Sequence, residues 1–163
     1  MISHSPKKKQ LINSPCSMMS NQINHIARFK TNSKTENLEN IRKFVFEYSK
    51  NFGFNSYKSE ELVLAVDEAC TNLIKHAYKY NTDDTIIVEL KSIDNNFLVS
   101  IIDNSPSFDP RLVQNPDLVQ YKQECRKGGL GIFIMKSLVD SVDYEVSKNG
   151  NHRNILTLTK QLA

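Results

Sequence analysis

The sequence predicts an α+β fold: a two-layer α/β sandwich with helices on one face of a mixed, mostly antiparallel sheet. Two observations carry this prediction. Strand-like runs come in neighbouring pairs, residues 85–90 with 97–102 and 144–148 with 154–160, and turn-forming residues separate each pair: Asp94-Asn95-Asn96 in one, Asn149-Gly150 in the other. Helical periodicity falls between these pairs rather than after every strand, giving the order β-α-α-β-β-loop-α-β-β, which favours hairpins over parallel crossovers. With 163 residues and no internal repeat, one domain can bury its own core without disulfides or metal.

Taken in order, residues 1–22 are rich in Ser, Asn, Lys and Pro and lack periodicity, so a disordered tail is expected there and a domain over 23–163. Asn13, Ser14 and Pro15 break the stretch after the lysine run, so no apolar signal-peptide core forms. Residues 24–30 alternate as a strand does. Ser33 or Thr35 can cap a helix reaching about Phe52, with Leu38, Ile41, Phe44, Val45 and Tyr48 at helical spacing and Gly53 as its stop. Asn55 or Ser56 then caps the longest helix, which is expected to run to about residues 79–81. At about 100° per residue, Leu62, Val66, Ala69, Cys70, Leu73 and Ala77 share its apolar face. Glu68, Asn72, Lys75 and Lys79 form a narrow polar stripe on the other side, edged by Ala65 and His76. After the first strand pair, residues 103–127 are polar and irregular, broken by Pro110 and Pro116, and a loop that long is more often functional than idle. Gly128-Gly129-Leu130-Gly131 then opens a helix over residues 132–139.

Composition excludes several classes. The net charge of +3 equals the run Lys7-Lys8-Lys9, so the remainder is near neutral and lacks the basic face of a nucleic-acid-binding domain. No apolar run approaches the roughly 18 residues that a membrane span needs, so a soluble chain is expected. Three cysteines without a C-x-x-C pair fit a reducing compartment and no zinc site. Cys70 reads as a small hydrophobe; Cys125, among Glu124, Arg126 and Lys127, is either incidental or a thiol of lowered pKa.

Three motifs carry chemistry, each with a plainer alternative. The stripe Glu68-x-x-x-Asn72 is either a reactive carboxylate and carboxamide one turn apart or a solvated face with helix-supporting ion pairs. Asp103, ending an apolar strand, either accepts a hydrogen bond from an exocyclic amine or closes an Asx turn. The Gly128–Gly131 turn either offers backbone N–H groups and a helix dipole to phosphate or is only a flexible loop end. It is neither a P-loop nor the dinucleotide fingerprint, since no Gly-Lys-Ser/Thr follows and Ile134 stands at the last glycine position.

In this order and spacing, the helix segment 61–78 with Glu68 and Asn72, the stretch Asp103-Asn-Ser-Pro-Ser-Phe-Asp-Pro110, and the segment 128–140 resemble the GHKL superfamily of ATPases and kinases. Within it, the small bacterial anti-sigma-factor serine/threonine kinases are the most similar group, over about residues 23–162. The resemblance implies ATP and Mg2+ as cofactors. Asn72 matches the magnesium ligand and Glu68 the catalytic base. His76 matches a position near the phosphates, Asp103 the carboxylate that reads the adenine amino group, and Gly129, Leu130 and Gly131 the turn that cradles the phosphates. Residues 109–127 match the lid over ATP, where Arg126 or Lys127 could neutralise phosphate charge.

Two departures stand out. Ser105 and Ser107 occupy positions where the family has glycine, and Asn154 stands where a threonine helps hold the adenine and can hydrogen-bond in its place. The resemblance implies a cytoplasmic anti-sigma factor with serine/threonine kinase activity, partnered by a sigma factor and a small anti-sigma-factor antagonist protein that it phosphorylates. It further implies a homodimer, with no direct nucleic-acid or membrane contact. The alternative is a non-catalytic ATP-responsive module that binds a regulator, which the serines at 105 and 107 favour. A histidine kinase catalytic domain ranks lower, because no phosphoacceptor helix is read ahead of the domain.

Overall fold

The computed structural model describes residues 23–123, 129–147 and 151–162. Strand β1 (Ile23–Asn32) leads into α1 (Leu38–Phe52) and α2 (Ser56–Asn72); β2 (Thr85–Ile93) and β3 (Asn96–Asp103) follow. The chain then makes a short helix α3 (Leu118–Gln123), α4 (Gly131–Leu138), β4 (Ser141–Ser147) and β5 (Arg153–Gln161). The strands form one sheet in the order β1-β2-β3-β5-β4, and every pairing is antiparallel. The expected tail, Cys125, Arg126, Lys127, Gly128 and the Asn149-Gly150 turn lie outside the described residues.

Alternation decides which face of the sheet is covered. Ile86, Val88 and Leu90 of β2, Phe97, Val99 and Ile101 of β3, and Leu158 of β5 point to one side and are almost wholly buried. Against them pack Leu38, Ile41 and Val45 of α1 and Leu62, Ala65, Val66, Ala69 and Cys70 of α2. Each large side chain so buried contributes about 1.5–3 kcal/mol. Register carries the same parity to the strand ends: Leu90 lies opposite Val99, Val99 opposite Leu158 and Asp103 opposite Asn154. Asp103 and Asn154 therefore face the helix layer. At the other end of β3, Phe97 packs with Phe52 and Phe54 at ring separations of 5.1 and 5.9 Å and closes the sandwich.

The helices differ from expectation at their ends. Neither Ser33 nor Thr35 caps α1, because a 3-10 turn over Thr35–Asn37 takes up its first turn, and the buried Ser33 hydroxyl instead donates to the Asn81 carbonyl. Gly53 ends α1 at φ 118°, a left-handed conformation that costs glycine little. Asn55 caps α2 by accepting from the Lys58 N–H at 2.8 Å. The α-helix stops at Asn72, short of residues 79–81, and widens into a π-helical turn over Leu73–Ala77, which the chain leaves through Lys79 and Tyr80 at φ 49° and 62°. Such widened turns are frequent at functional sites. The polar loop is also less irregular than its composition suggests. Asp117 caps α3, its Oδ1 accepting from the Val119 and Gln120 N–H groups. Among the described residues, no helix is long and apolar enough to cross a membrane.

Candidate active site

The site is organised by α2, which lies between α1 and α4. On the α1 side, Asp67 takes Arg42 in an ion pair of 2.7 Å and fastens the two helices, so Asp67 is structural rather than mere surface. On the α4 side stand Glu68 and Asn72. Ala65, one turn before Glu68, is fully buried, and Glu68 and Asn72 are half-buried, while Leu64 is exposed. The polar stripe thus flanks the buried face instead of opposing it. Among the described residues, neither the Glu68 carboxylate nor the Asn72 carboxamide has a hydrogen-bond partner.

The start of α4 closes on these two side chains. A β-carbon added to Gly131 would stand 2.5 Å from Glu68 Oε2, 3.2 Å from Asn72 Nδ2 and 3.4 Å from Asn72 Oδ1. A side chain at this position would have to displace the Glu68 carboxylate. Gly129 is needed for a different reason: its φ is 88°, and no described residue lies within 4 Å of where a β-carbon would be. One glycine supplies the turn and the other the proximity. The Ile134 N–H bonds to the Leu130 carbonyl at 2.8 Å, and among the described residues no side chain caps α4. The first turn of a helix carries N–H groups without intrahelical partners and the positive end of the dipole, and here that end lies close to Glu68 and Asn72.

Asp103 lies at the other end of the site, 8% exposed, at the end of β3. Its Oδ1 accepts from the Ser105 N–H at 2.7 Å, which is an Asx turn, and from Asn154 Nδ2 at 3.0 Å. No described residue donates to Oδ2, so closing the turn leaves one acceptor of the carboxylate open. The carboxylate is close enough to α2 to act on Cys70, whose thiol burial pushes up to about 12, with Asp67 and Asp103 adding to the effect. A thiol so placed is inert packing.

His76 is exposed on the π-helical turn, one turn beyond Asn72. Asn154 is buried beside Asp103 and also accepts from the Ser107 and Tyr144 hydroxyls. The structure thus brings together Glu68, Asn72 and Gly131 as one group and Asp103 with Asn154 as another. Tyr78 was not singled out in the sequence. Its hydroxyl donates to the Thr85 carbonyl and accepts from the Asn104 N–H, each at 3.3 Å, and so ties the end of the π-turn to the residue after Asp103. Burial pushes that hydroxyl up to about 12. An aromatic with a polar tip just after the helix was the available signal. A hollow of about 140 Å³ lined by Lys30, Ile87, Ile102 and Arg153 lies behind Asp103 on the open side of the sheet, and it does not reach Glu68 or Gly131.

Beside α2 the structure gathers a half-buried carboxylate, a carboxamide without a partner among the described residues and the start of α4, with a carboxylate acceptor at the end of β3. Residues 31–160 match the histidine kinase-like ATPase domain family. The serine-protein kinase RsbW of Bacillus subtilis is 29% identical over 150 residues, spanning 88% of this chain and 89% of that protein. The serine-protein kinase RsbW of Bacillus licheniformis is 30% identical over 122 residues, spanning 72% and 76%. The chain belongs to the histidine kinase-like ATPase domain family, in the group of the RsbW serine-protein kinases. A chain of the SiaB–SiaC complex of Pseudomonas aeruginosa shares its fold with a TM-score of 0.60 at 14% identity, over 83% of this chain and 89% of that one.

Proposed function

We propose that the chain is an ATP-dependent serine/threonine protein kinase that acts as an anti-sigma factor, phosphorylating a small antagonist protein and sequestering a sigma factor. The observation that carries the reading is the approach of Gly131 to Glu68 and Asn72, which sets a carboxylate beside an anion-binding helix end. Asp103 Oδ2 accepts from the adenine amino group. The first-turn N–H groups of α4 hold the phosphates, and His76 borders them. Glu68 accepts the proton of the substrate hydroxyl as its oxygen bonds to the γ-phosphorus and the bond to the β–γ bridging oxygen breaks, releasing ADP.

Asn72 fits Mg2+: its carboxamide oxygen is a hard ligand and has no partner among the described residues. Held there, Mg2+ would neutralise phosphate charge. The chain works in the cytoplasm as a homodimer, with no direct contact to nucleic acid or membrane.

The test is incubation with Mg-ATP and each small antagonist-like protein of the same genome, followed by mass spectrometry. A phosphoserine or phosphothreonine on one of them is the expected result. Binding of Mg-ATP without transfer to any would favour instead an ATP-responsive module that sequesters a regulator, the reading toward which Ser105 and Ser107 lean.

A further inference from the structure

Positions 105, 107 and 154 meet in space. Asn154 is 2% exposed. Its Nδ2 donates to Asp103 Oδ1 at 3.0 Å and to the Ser105 carbonyl at 2.7 Å, and its Oδ1 accepts from Ser107 Oγ at 3.0 Å and from the Tyr144 hydroxyl at 2.9 Å. A carboxamide offers two donors and two main acceptor sites, so this one is fully engaged within the protein. A second ring of bonds surrounds it. The Tyr144 hydroxyl accepts from the Phe108 N–H at 3.0 Å, and His152 Nε2 lies 3.2 Å from both the Ser105 carbonyl and Ser107 Oγ.

We propose that Asn154 is a positioning residue for base selection: it fixes the Asp103 carboxylate and the root of the following loop, and it does so without touching the nucleotide. The inference rests on the nucleotide reading above. With the Ser105 N–H and Asn154 Nδ2 both on Oδ1, the rotation of the carboxylate is restrained, and Oδ2 is left as the acceptor without a donor among the described residues. An acceptor held there suits the amino group of adenine and opposes the carbonyl of hypoxanthine. The same carboxamide gathers Ser105, Ser107 and, through Tyr144, Phe108, so the strand end and the loop root move as one unit.

The test compares ADP with IDP, in which a carbonyl replaces the amino group, by calorimetry on the full chain. The wild type favours ADP. Asn154→Ala, which removes one of the two donors to Asp103 Oδ1 and strands the other partners of the carboxamide, weakens ADP about ten-fold while leaving IDP within about two-fold, so discrimination collapses. Tyr144→Phe keeps both Asp103 bonds and removes one donor to the carboxamide, and it moves the ratio the same way by about three-fold. An unchanged ADP/IDP ratio in folded Asn154→Ala overturns the inference. Should that variant fail to fold, an unchanged ratio in Tyr144→Phe overturns it. Absence of ADP binding by the wild type at millimolar concentration overturns the nucleotide reading and this inference with it, whereas wild-type binding with unaltered variants overturns this inference alone.

Discussion

Gly131 lies so close to Glu68 that a methyl group on its α-carbon would stand 2.5 Å from the carboxylate oxygen. The atom in the way is the far end of a flexible side chain, so the fold can accommodate a methyl group by moving the Glu68 carboxylate. Gly131→Ala should therefore leave the protein folded. Thermal unfolding should change little or rise slightly, because alanine favours a helix over glycine by about 1 kcal/mol. Phosphoryl transfer should fall by about 100-fold, the scale on which a misplaced catalytic group acts. A steady-state rate beside a melting curve separates the two effects.

Asn55 offers a contrasting control. It caps α2 from the end opposite the site, and its loss should cost about 1 kcal/mol of stability. Asn55→Ala should lower the denaturation midpoint and leave the transfer rate of the folded protein unchanged, as urea unfolding and initial rates together would reveal.

Two buried groups set the alkaline limit. Burial raises Cys70 from 9.0 and Tyr78 from 10.0, each to about 12. Both groups stay neutral in the folded chain at a pH where the unfolded chain ionises them. Stability is thus full below pH 9, declines from 9 to 12 through Cys70, and declines from 10 to 12 through Tyr78. At about 1.4 kcal/mol per pH unit, Cys70 alone removes up to about 4 kcal/mol by pH 12. Cys70→Ala should flatten the fall that begins at pH 9, measured as unfolding free energy against pH.

Lys160 is buried and joins three elements, its Nζ lying 2.9 Å from Glu61 Oε2 on α2 and 2.8 Å from the Leu138 carbonyl at the end of α4. Removing it takes the cation from the half-buried Glu61 carboxylate, which keeps a hydrogen bond from Tyr57, and leaves a helix-end carbonyl without its donor. Lys160→Ala should cost about 3 kcal/mol of stability, read as a lower urea midpoint, while Lys160→Arg recovers part of the loss.

The sheet was legible in the sequence because alternation is local: Phe97, Val99 and Ile101 mark their own face without reference to any other strand. Asp103 was legible for the same reason, as the first charged residue after an apolar run. The placement of Glu68 and Asn72 was not. Periodicity put them opposite the apolar face, and only the approach of α4, some sixty residues later, turns that flank inward. The π-turn was hidden because widening by one residue barely changes a hydrophobic pattern over five residues. Helix α3 was masked by polar composition, although Asp117 before Leu118 was a readable cap. The bonds around Asn154 join residues 10 to 51 positions apart, and side-chain matching across that distance leaves no periodic trace.

The central claim is that Glu68 takes the proton of the hydroxyl that attacks ATP. The most direct measurement is Glu68→Gln, which keeps the shape and removes the base, assayed for transfer to the antagonist protein by mass spectrometry and for Mg-ATP affinity by calorimetry. The account predicts that transfer is lost, by about 100-fold or more, with affinity changed by no more than about three-fold. Transfer by Glu68→Gln at a rate comparable to the wild type would contradict it.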